Sequence, residues 1–171
     1  RLVSLIAVQR KKAQVLEEDL QKFLPELNDI FNLTGEEPRV RFFEGKEGLK
    51  VIQEDILKSK FQSLEEFVPL DEAYKVFPPR PGDHRQKLSK KTKKIPRRII
   101  YTSRKGAFRL PLEGNIKRKF ISPDKFPFSA ELVLYGERTA IVAYKGKLVG
   151  LIIESREITD SLRSFFNLAW Q

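Results

Sequence analysis

Few residue types in this chain could do covalent or metal chemistry. The sequence contains no Cys and a single His, His84. The lack of Cys excludes a disulfide framework, a thiol nucleophile and a thiolate metal site, and it is typical of a reducing compartment. One His without any Cys also argues against a zinc site. Since no Walker loop, nucleophile elbow or Gly-x-Gly-x-x-Gly turn occurs either, we predict no catalytic residue, no metal and no cofactor.

One turn has the composition of a binding site. An apolar run that predicts a strand ends at Phe43 and Glu44, and Gly45 and Gly48 follow at the start of a predicted helix. Free amides at a helix N-terminus can receive an anion or a hydroxyl group. The alternative is an ordinary β-α turn in which Gly45 only permits tight geometry. We take Glu44, Gly45 and Gly48 as candidate ligand-binding residues.

Basic residues are concentrated in the middle of the chain. Residues 75–125 hold 17 Lys or Arg against 3 Asp or Glu, a balance of +14 in a chain of net charge +10, so the remainder sums to −4. Such a segment can attract nucleic acid or an anionic ligand, although a solvated helix face is the alternative. A direct nucleic-acid site would lie in residues 87–98 and use Lys90, Lys91, Lys93, Lys94, Arg97 and Arg98. Because lysines this close in sequence would fan around a helix, we expect only weak binding of DNA, at roughly 10⁻⁴ to 10⁻⁶ M.

The N-terminal residues carry a heptad pattern. Apolar residues recur at alternating spacings of three and four, with Gln9 as the polar exception, which predicts a coiled-coil helix over residues 1–33. The predicted dimer seam is formed by Leu2, Ile6, Gln9, Ala13, Leu16, Leu20, Phe23 and Leu27. Such a helix, about 45 Å long if unbroken, cannot bury its own seam, so it needs a second copy or the body of the domain. Pro25 predicts a kink near Leu24.

The rest of the chain, residues 38–171, predicts one mixed α/β sandwich. Strands are expected at residues 40–43, 67–70, 97–102 and 116–121, with helices at 49–57, at 71–77 after an Asp71 cap, and at 83–94. Three β-rich runs at 131–135, 139–144 and 148–154 predict hairpins. A final helix after Ser155 is expected to lie on the sheet. The apolar runs are too short to cross a membrane, and no signal peptide precedes them, so we expect a cytoplasmic protein.

Ordered segments of the chain resemble the C-terminal part of TrmB-type transcription regulators. They are "FFEGKEGLKVI", then "AELVLYGERTAIVAYKGKLVGLIIES", and finally "ITDSLRSFFNLAW". The resemblance implies an upstream winged helix that binds DNA, a coiled-coil spacer that dimerises the protein, and an effector domain with a phospholipase D-like α/β fold. This chain matches the last two parts. The implied partners are a second copy, DNA through the winged helix, and a small-molecule effector.

The phospholipase D fold brings its own catalytic pattern, a His followed two residues later by a Lys and further on by an Asp. Here Gln86 stands where that Lys belongs after His84, and Lys87 is one residue late. We therefore predict that the chain is not an enzyme. The function expected from the sequence is a non-catalytic dimerisation and effector-sensing domain of a TrmB-like regulator. The alternatives are direct nucleic-acid binding through residues 87–98 and, behind it, a phosphodiesterase of unusual design.

Overall fold

Residues 38–108 and 114–171, which the computed structural model describes, fold around one mixed sheet of seven strands. The mixed α/β prediction for this part of the chain is therefore confirmed. The predicted coiled-coil helix of residues 1–33, with its seam from Leu2 to Leu27, lies outside the described residues.

The elements follow one another in the order β1 (Arg39–Glu44), α1 (Gly45–Lys58), β2 (Leu64–Pro69), α2 (Leu70–Val76), α3 (His84–Lys91), β3 (Arg97–Thr102), β4 (Ile116–Phe120), β5 (Ala130–Tyr135), β6 (Arg138–Ala143), β7 (Val149–Glu154) and α4 (Arg156–Trp170). Across the sheet the strand order is β1-β7-β6-β5-β2-β3-β4. Strands β2, β3 and β4 run parallel to one another, and the other neighbours pair antiparallel. The predicted hairpins are confirmed, and Gly136 takes φ +57° in the two-residue turn between β5 and β6.

Helices α1, α2 and α3 cover one face of the sheet, which we call the cavity face. Leu49, Ile52 and Ile56 of α1 recur at helical spacing and are buried against inward residues of the strands. Helix α1 lies so close to β7 that a Cβ added to Gly150 would be 2.3 Å from Cδ1 of Ile52. Ala73 of α2 and Leu88 of α3 join the same core.

Helix α4 covers the other face, which we call the α4 face. It begins where the side chain of Ser155 accepts a hydrogen bond from the amide of Ile158, and it buries Phe166 completely against Ile100 and Leu134. The predicted packing of this helix on the sheet is confirmed. Phe165, the residue before Phe166, is exposed, because neighbouring positions on a helix point about 100° apart.

Three boundaries differ from the sequence prediction. Strand β2 begins at Leu64, because the charges of Glu65 and Glu66 are paired with arginines and can be buried. Asp71 does not cap α2: it accepts a hydrogen bond from the amide of Arg104 instead, at 2.7 Å. Helix α3 ends at Lys91. The hydroxyl of the next residue, Thr92, donates a hydrogen bond to the carbonyl of Leu88 and closes the last turn.

Candidate ligand-binding cavity

A cavity of about 140 Å³ lies between the cavity face of the sheet and the three helices above it. Its floor is formed by residues of β2 to β6, including Arg118 of β4, and its roof by α1, α2 and α3. The apolar part of the wall includes Ile56, Ile99, Val133 and Val142. A cavity of about 150 Å³ holds a benzene-sized molecule, so this space is large enough for a small metabolite.

The position of α3 is fixed by a reciprocal cap at its N-terminus. The carboxylate of Asp83 accepts a hydrogen bond from the amide of Gln86 at 2.9 Å, and the side chain of Gln86 accepts one from the amide of Gly82 at 2.8 Å. The arrangement differs from a capping box, because Gln86 accepts from Gly82, the residue before the cap, and not from Asp83 itself. The cap therefore places His84 and Arg85, the first two residues of the helix, at the wall of the cavity.

An ion pair crosses from β2 to β3 on the cavity floor. Nε and Nη2 of Arg97 donate to the two carboxylate oxygens of Glu66 at 2.5 and 3.1 Å, and both side chains are less than 10% exposed. The two-pronged geometry offsets the cost of burying two charges. Removing either partner would leave the other charged group buried and unpaired.

Strand β5 contributes a second acid to the cavity wall, the partly buried Glu131. Burial raises the pKa of the Glu131 carboxyl above its ordinary value, against the opposing effects of Arg85 and of the Tyr144 hydroxyl. That hydroxyl donates a hydrogen bond to Glu131, and burial holds the pKa of Tyr144 above its ordinary range. Glu131 is thus a partly buried residue next to open space, and its carboxyl group has a raised tendency to stay protonated.

His84 brings an unused hydrogen-bonding atom to the wall. Burial, together with the positive charge of Arg85, lowers the pKa of His84 to about 4, so the imidazole is neutral at pH 7. Within the described part of the chain, its Nδ1 is buried without a hydrogen-bond partner. Buried polar atoms are normally satisfied. A ligand in the cavity could supply the missing partner.

Arg85 lines the same cavity and keeps part of its bonding capacity. Its guanidinium lies 4.9 Å from the ring centroid of Tyr74, and Nη1 donates to the carbonyl of Phe77 at 3.3 Å. A guanidinium has five N–H donors. Arg85, Glu131 and His84 together give the cavity a cation, an acid and a neutral ring among apolar walls.

The turn predicted as a ligand site lies away from this cavity. Glu44, Gly45 and Gly48 come together where β1 enters α1, but the amide of Gly45 donates to the carbonyl of Leu148 at 2.8 Å. Glu44 is paired with Lys147 at 2.9 Å. Gly48 packs against Phe43, where an added Cβ would be at 3.2 Å. The observed contacts of these three residues are therefore with the chain itself.

The six residues of the predicted nucleic-acid site are divided among different places. Lys90, Lys93 and Lys94 are exposed. The ammonium group of Lys91 donates to the carbonyls of Ile56, Leu57 and Ser59 at the end of α1. Arg97 and Arg98 point to opposite faces of the sheet, because they are neighbours on one strand: Arg97 pairs with Glu66, and Arg98 stacks on Phe166 and Trp170 of α4.

The sequence did not reveal the polar residues of the cavity. Neither the cluster of Glu66, Arg97, Glu131 and Tyr144 nor the position of Arg85 at the wall was predicted. A signal was present on β5, where Glu131 shares a side of the strand with Val133 and Tyr135, both of which are buried. A charged residue in register with a buried row is a marker of a polar site in a core. No comparable signal exists for Arg85, because its place depends on how α3 docks.

A wider and more open cleft lies at the carboxyl ends of the parallel strands, between Asp71, Ser103 and Asp124. There Asp71 is already bonded to the amide of Arg104. In residues 38–108 and 114–171 no group of three or more His, Asp or Glu is placed to hold a metal ion. None of the described helices is long and apolar enough to cross a membrane.

No protein-family model and no curated sequence matches the chain. Solved structures do match. TrmBL2, described as an archaeal chromatin protein with a novel mode of DNA binding, aligns with 95% of this chain at 13% identity and a TM-score of 0.50. NucT from Helicobacter pylori aligns with 77% of this chain and 94% of its own length, at 10% identity and a TM-score of 0.52. Nuc from Salmonella typhimurium, a phospholipase D family member, covers 78% of this chain and 95% of its own at 13% identity, with a TM-score of 0.46.

These similarities show that the mixed α/β fold of this chain is shared with TrmBL2 and NucT. The chain spans 63% of the length of the TrmBL2 chain. At this level of identity the resemblance is one of fold, and the residues of the site must carry any statement about function.

The prediction that the chain is not an enzyme is contradicted by these comparisons. The chain shares its fold with NucT, and this fold gives no support to a non-catalytic assignment. The prediction rested on one linear pattern around His84 and Gln86. A linear pattern tests only the residues it contains, whereas a site can be assembled from side chains far apart in the sequence.

Proposed function

We propose that residues 38–171 are the effector-sensing domain of a dimeric, TrmB-like regulator that acts on DNA. In this proposal a small polar molecule occupies the cavity between the sheet and helices α1 to α3. The single observation that carries it is a cavity of about 140 Å³ lined by several ionisable side chains, one of which, His84, has a buried and unused Nδ1.

The chemistry of the wall supports a particular kind of ligand. Arg85 offers N–H donors, Glu131 offers a carboxyl group, and Ile99 and Val133 offer an apolar surface between them. A ligand with a compact apolar body and one or two polar groups would satisfy these atoms. The volume limits it to a molecule about the size of benzene.

The position of the cavity supports a sensing role. Its roof includes α3, a helix of eight residues whose start is held by the Asp83 cap and whose end is followed by the basic turn at Lys93 and Lys94. If α3 can take two positions, a ligand that binds one position more tightly shifts the equilibrium towards it. The size of the shift is set by the difference between the two affinities. Occupancy of the cavity would thereby change the surface next to α3.

A thermal-unfolding screen tests the proposal. Small carboxylic acids, amino acids, sugars and nucleobases would each be added at millimolar concentration to the purified chain. A compound present at 100 times its dissociation constant adds about 2.7 kcal/mol to the free energy of unfolding. We expect at least one compound class to raise the melting temperature.

A matched pair of variants locates the binding. Ser89→Phe places a ring at the wall of the cavity, whereas Ser161→Phe places the same ring on the exposed side of α4. We expect the thermal shift to be lost in Ser89→Phe and kept in Ser161→Phe. A shift kept in both variants, or no shift from any compound with the wild type, would count against the cavity as the sensing site.

A further inference from the structure

Five exposed basic residues lie along one edge of the sheet, on both of its sides, and come from two separate stretches of the sequence. Lys90 lies in the last turn of α3, and Lys93 and Lys94 lie in the turn that follows it; Lys117 and Arg118 lie on β4. We call these five residues the basic edge. Strand β4 is the last strand of the sheet order, so its basic side chains stand at the sheet margin. Lys117 and Arg118 are neighbours on this strand and therefore point to opposite faces of the sheet, and Arg118 also lines the cavity.

Backbone contacts hold the two stretches together. Gly114 lies so close to Lys93 that a Cβ added to it would be 2.7 Å from the Lys93 carbonyl oxygen. Two residues further along, Ile116 pairs with Arg97, and the amide of Arg97 donates to the carbonyl of Asn115 at 3.0 Å. At about 3.3 Å per strand residue, Lys117 is within roughly 10 Å of Gly114.

The charges of the basic edge are not neutralised by neighbours that the structure describes. Among residues 38–108 and 114–171, no acidic side chain forms an ion pair with any of the five, whereas Lys50, Lys58 and Lys147 elsewhere each have an acidic partner. The other basic residues of the segment are occupied inside the protein: Lys91 at the end of α1, Arg97 with Glu66 and Arg98 with Glu65.

We propose that the basic edge binds the phosphate backbone of duplex nucleic acid, as a contact surface of this domain in its own right. The proposal goes beyond the sensing function and does not depend on it. The surface presents ammonium and guanidinium groups, which position a duplex through its phosphates without reading bases. Lysine on an edge strand also discourages strand pairing between molecules. Protection of the edge explains Lys117, but it does not explain the three lysines on α3 and in the turn after it.

The test measures binding of a fluorescently labelled, random-sequence 24-base-pair duplex by the full chain, as anisotropy between 20 and 200 mM salt. The test variant is the triple change Lys93→Gln, Lys94→Gln and Lys117→Gln. The control, Lys60→Gln, Lys75→Gln and Lys125→Gln, removes the same charge from exposed lysines outside the basic edge. Each neutralised phosphate contributes about 0.9 to the slope of log K against log salt.

We expect the wild type to bind with micromolar affinity at low salt and a slope of about −3 to −4. The test variant should lose about 2 to 3 units of that slope and bind at least about tenfold more weakly at 20 mM salt, while the control keeps the wild-type slope. If both triple variants lose the same amount of affinity and slope, the binding of DNA depends only on net charge, and the proposal is overturned. Undetectable wild-type binding at 20 mM salt would overturn it as well, as would displacement of the duplex by poly-glutamate at equal charge concentration.

Discussion

His84 and Glu131 line the same cavity, and burial shifts their pKa values in opposite directions. Burial disfavours the charged form of each, which lowers the pKa of the imidazole and raises that of the carboxyl. In the folded protein both groups therefore tend to be neutral. The pH dependence of folding should carry a separate signature of each.

The first prediction concerns His84. Its pKa is about 4 in the folded protein against an ordinary value of 6.5, so the unfolded chain binds more protons between these values. The free energy of unfolding should fall as the pH drops from 6.5 towards 4, by about 3 kcal/mol at most from this group. Urea unfolding across pH 4 to 7 would measure it.

The control for that titration is His84→Gln. Since His84 is the only His in the sequence, this variant removes the imidazole titration and no other. The difference in stability between wild type and variant should shrink as the pH falls through this window. A difference that stays constant from pH 4 to 7 would show that His84 is not buried in the neutral form.

The second prediction concerns Glu131 and Tyr144. Glu131→Gln keeps an oxygen that can accept from the Tyr144 hydroxyl, whereas Glu131→Leu leaves that buried hydroxyl unsatisfied. We expect the Glu131→Leu variant to be less stable than the Glu131→Gln variant by about 1 to 3 kcal/mol at pH 5. Because the folded pKa of Glu131 is raised, wild-type stability should decline as the pH rises above the ordinary value of 4.5, and the Gln variant should lack that decline.

Denaturant midpoints at pH 5 and pH 8 would check both parts of this prediction. Glu137→Gln, on an exposed turn residue, is the matched control and should leave the midpoints unchanged. Equal stability of the Gln and Leu variants would contradict the hydrogen bond between Glu131 and Tyr144.

At the residue scale, the sequence could indicate little of the cavity. Glu66 and Arg97 are 31 positions apart, and their pairing exists only because β2 and β3 lie side by side. Similarly, Arg85 reaches the wall through the docking of α3. The Lys run at 90–94 was visible in the sequence, but its division into exposed and internally bonded members depends on which carbonyls the end of α1 presents to Lys91.

At the scale of elements, the contact between α1 and β7 gives a third prediction. Gly150→Ala would place a Cβ at 2.3 Å from Cδ1 of Ile52 and 3.0 Å from Cδ2 of Leu49. We expect a loss of about 1 to 3 kcal/mol, typical of overpacking in a core. Thermal or urea unfolding of the variant would measure it.

A double-mutant cycle separates this clash from other effects of alanine. Ile52→Val removes the atom that the new Cβ would meet. The double variant should therefore be more stable than the sum of the two single changes predicts. Additive losses would mean that α1 does not lie against Gly150 as described.

The strands and helices themselves were largely predictable, and the reasons are local. Residues 97–102 were predicted as a strand and form β3 with those bounds, because Ile99, Ile100 and Tyr101 all favour an extended, buried backbone. The hairpins follow from the three β-rich runs, which are separated by short turns that contain Gly136 and Gly146. Strand β2 was placed too late because Glu65 and Glu66 look like solvent-exposed residues until their arginine partners are known.

At the scale of the whole molecule, dimerisation through the N-terminal heptads remains a prediction. Leu16→Asp together with Leu20→Asp would put four charges into the seam of a dimer, and we expect sedimentation to show dissociation to monomers. The pair Lys11→Asp and Lys12→Asp, outside the predicted seam, serves as a control. A wild type that sediments as a monomer at high micromolar concentration would rule out this mode of assembly.

The central claim is that the cavity on the cavity face holds a small effector. Its most direct test is a crystal structure of the chain with the compound that raises the melting temperature most. We predict electron density inside the cavity, in contact with the carboxyl group of Glu131, the guanidinium of Arg85 and Nδ1 of His84. An empty cavity, with the compound bound instead in the open cleft beside Asp71 and Ser103 or on the surface, would contradict the account.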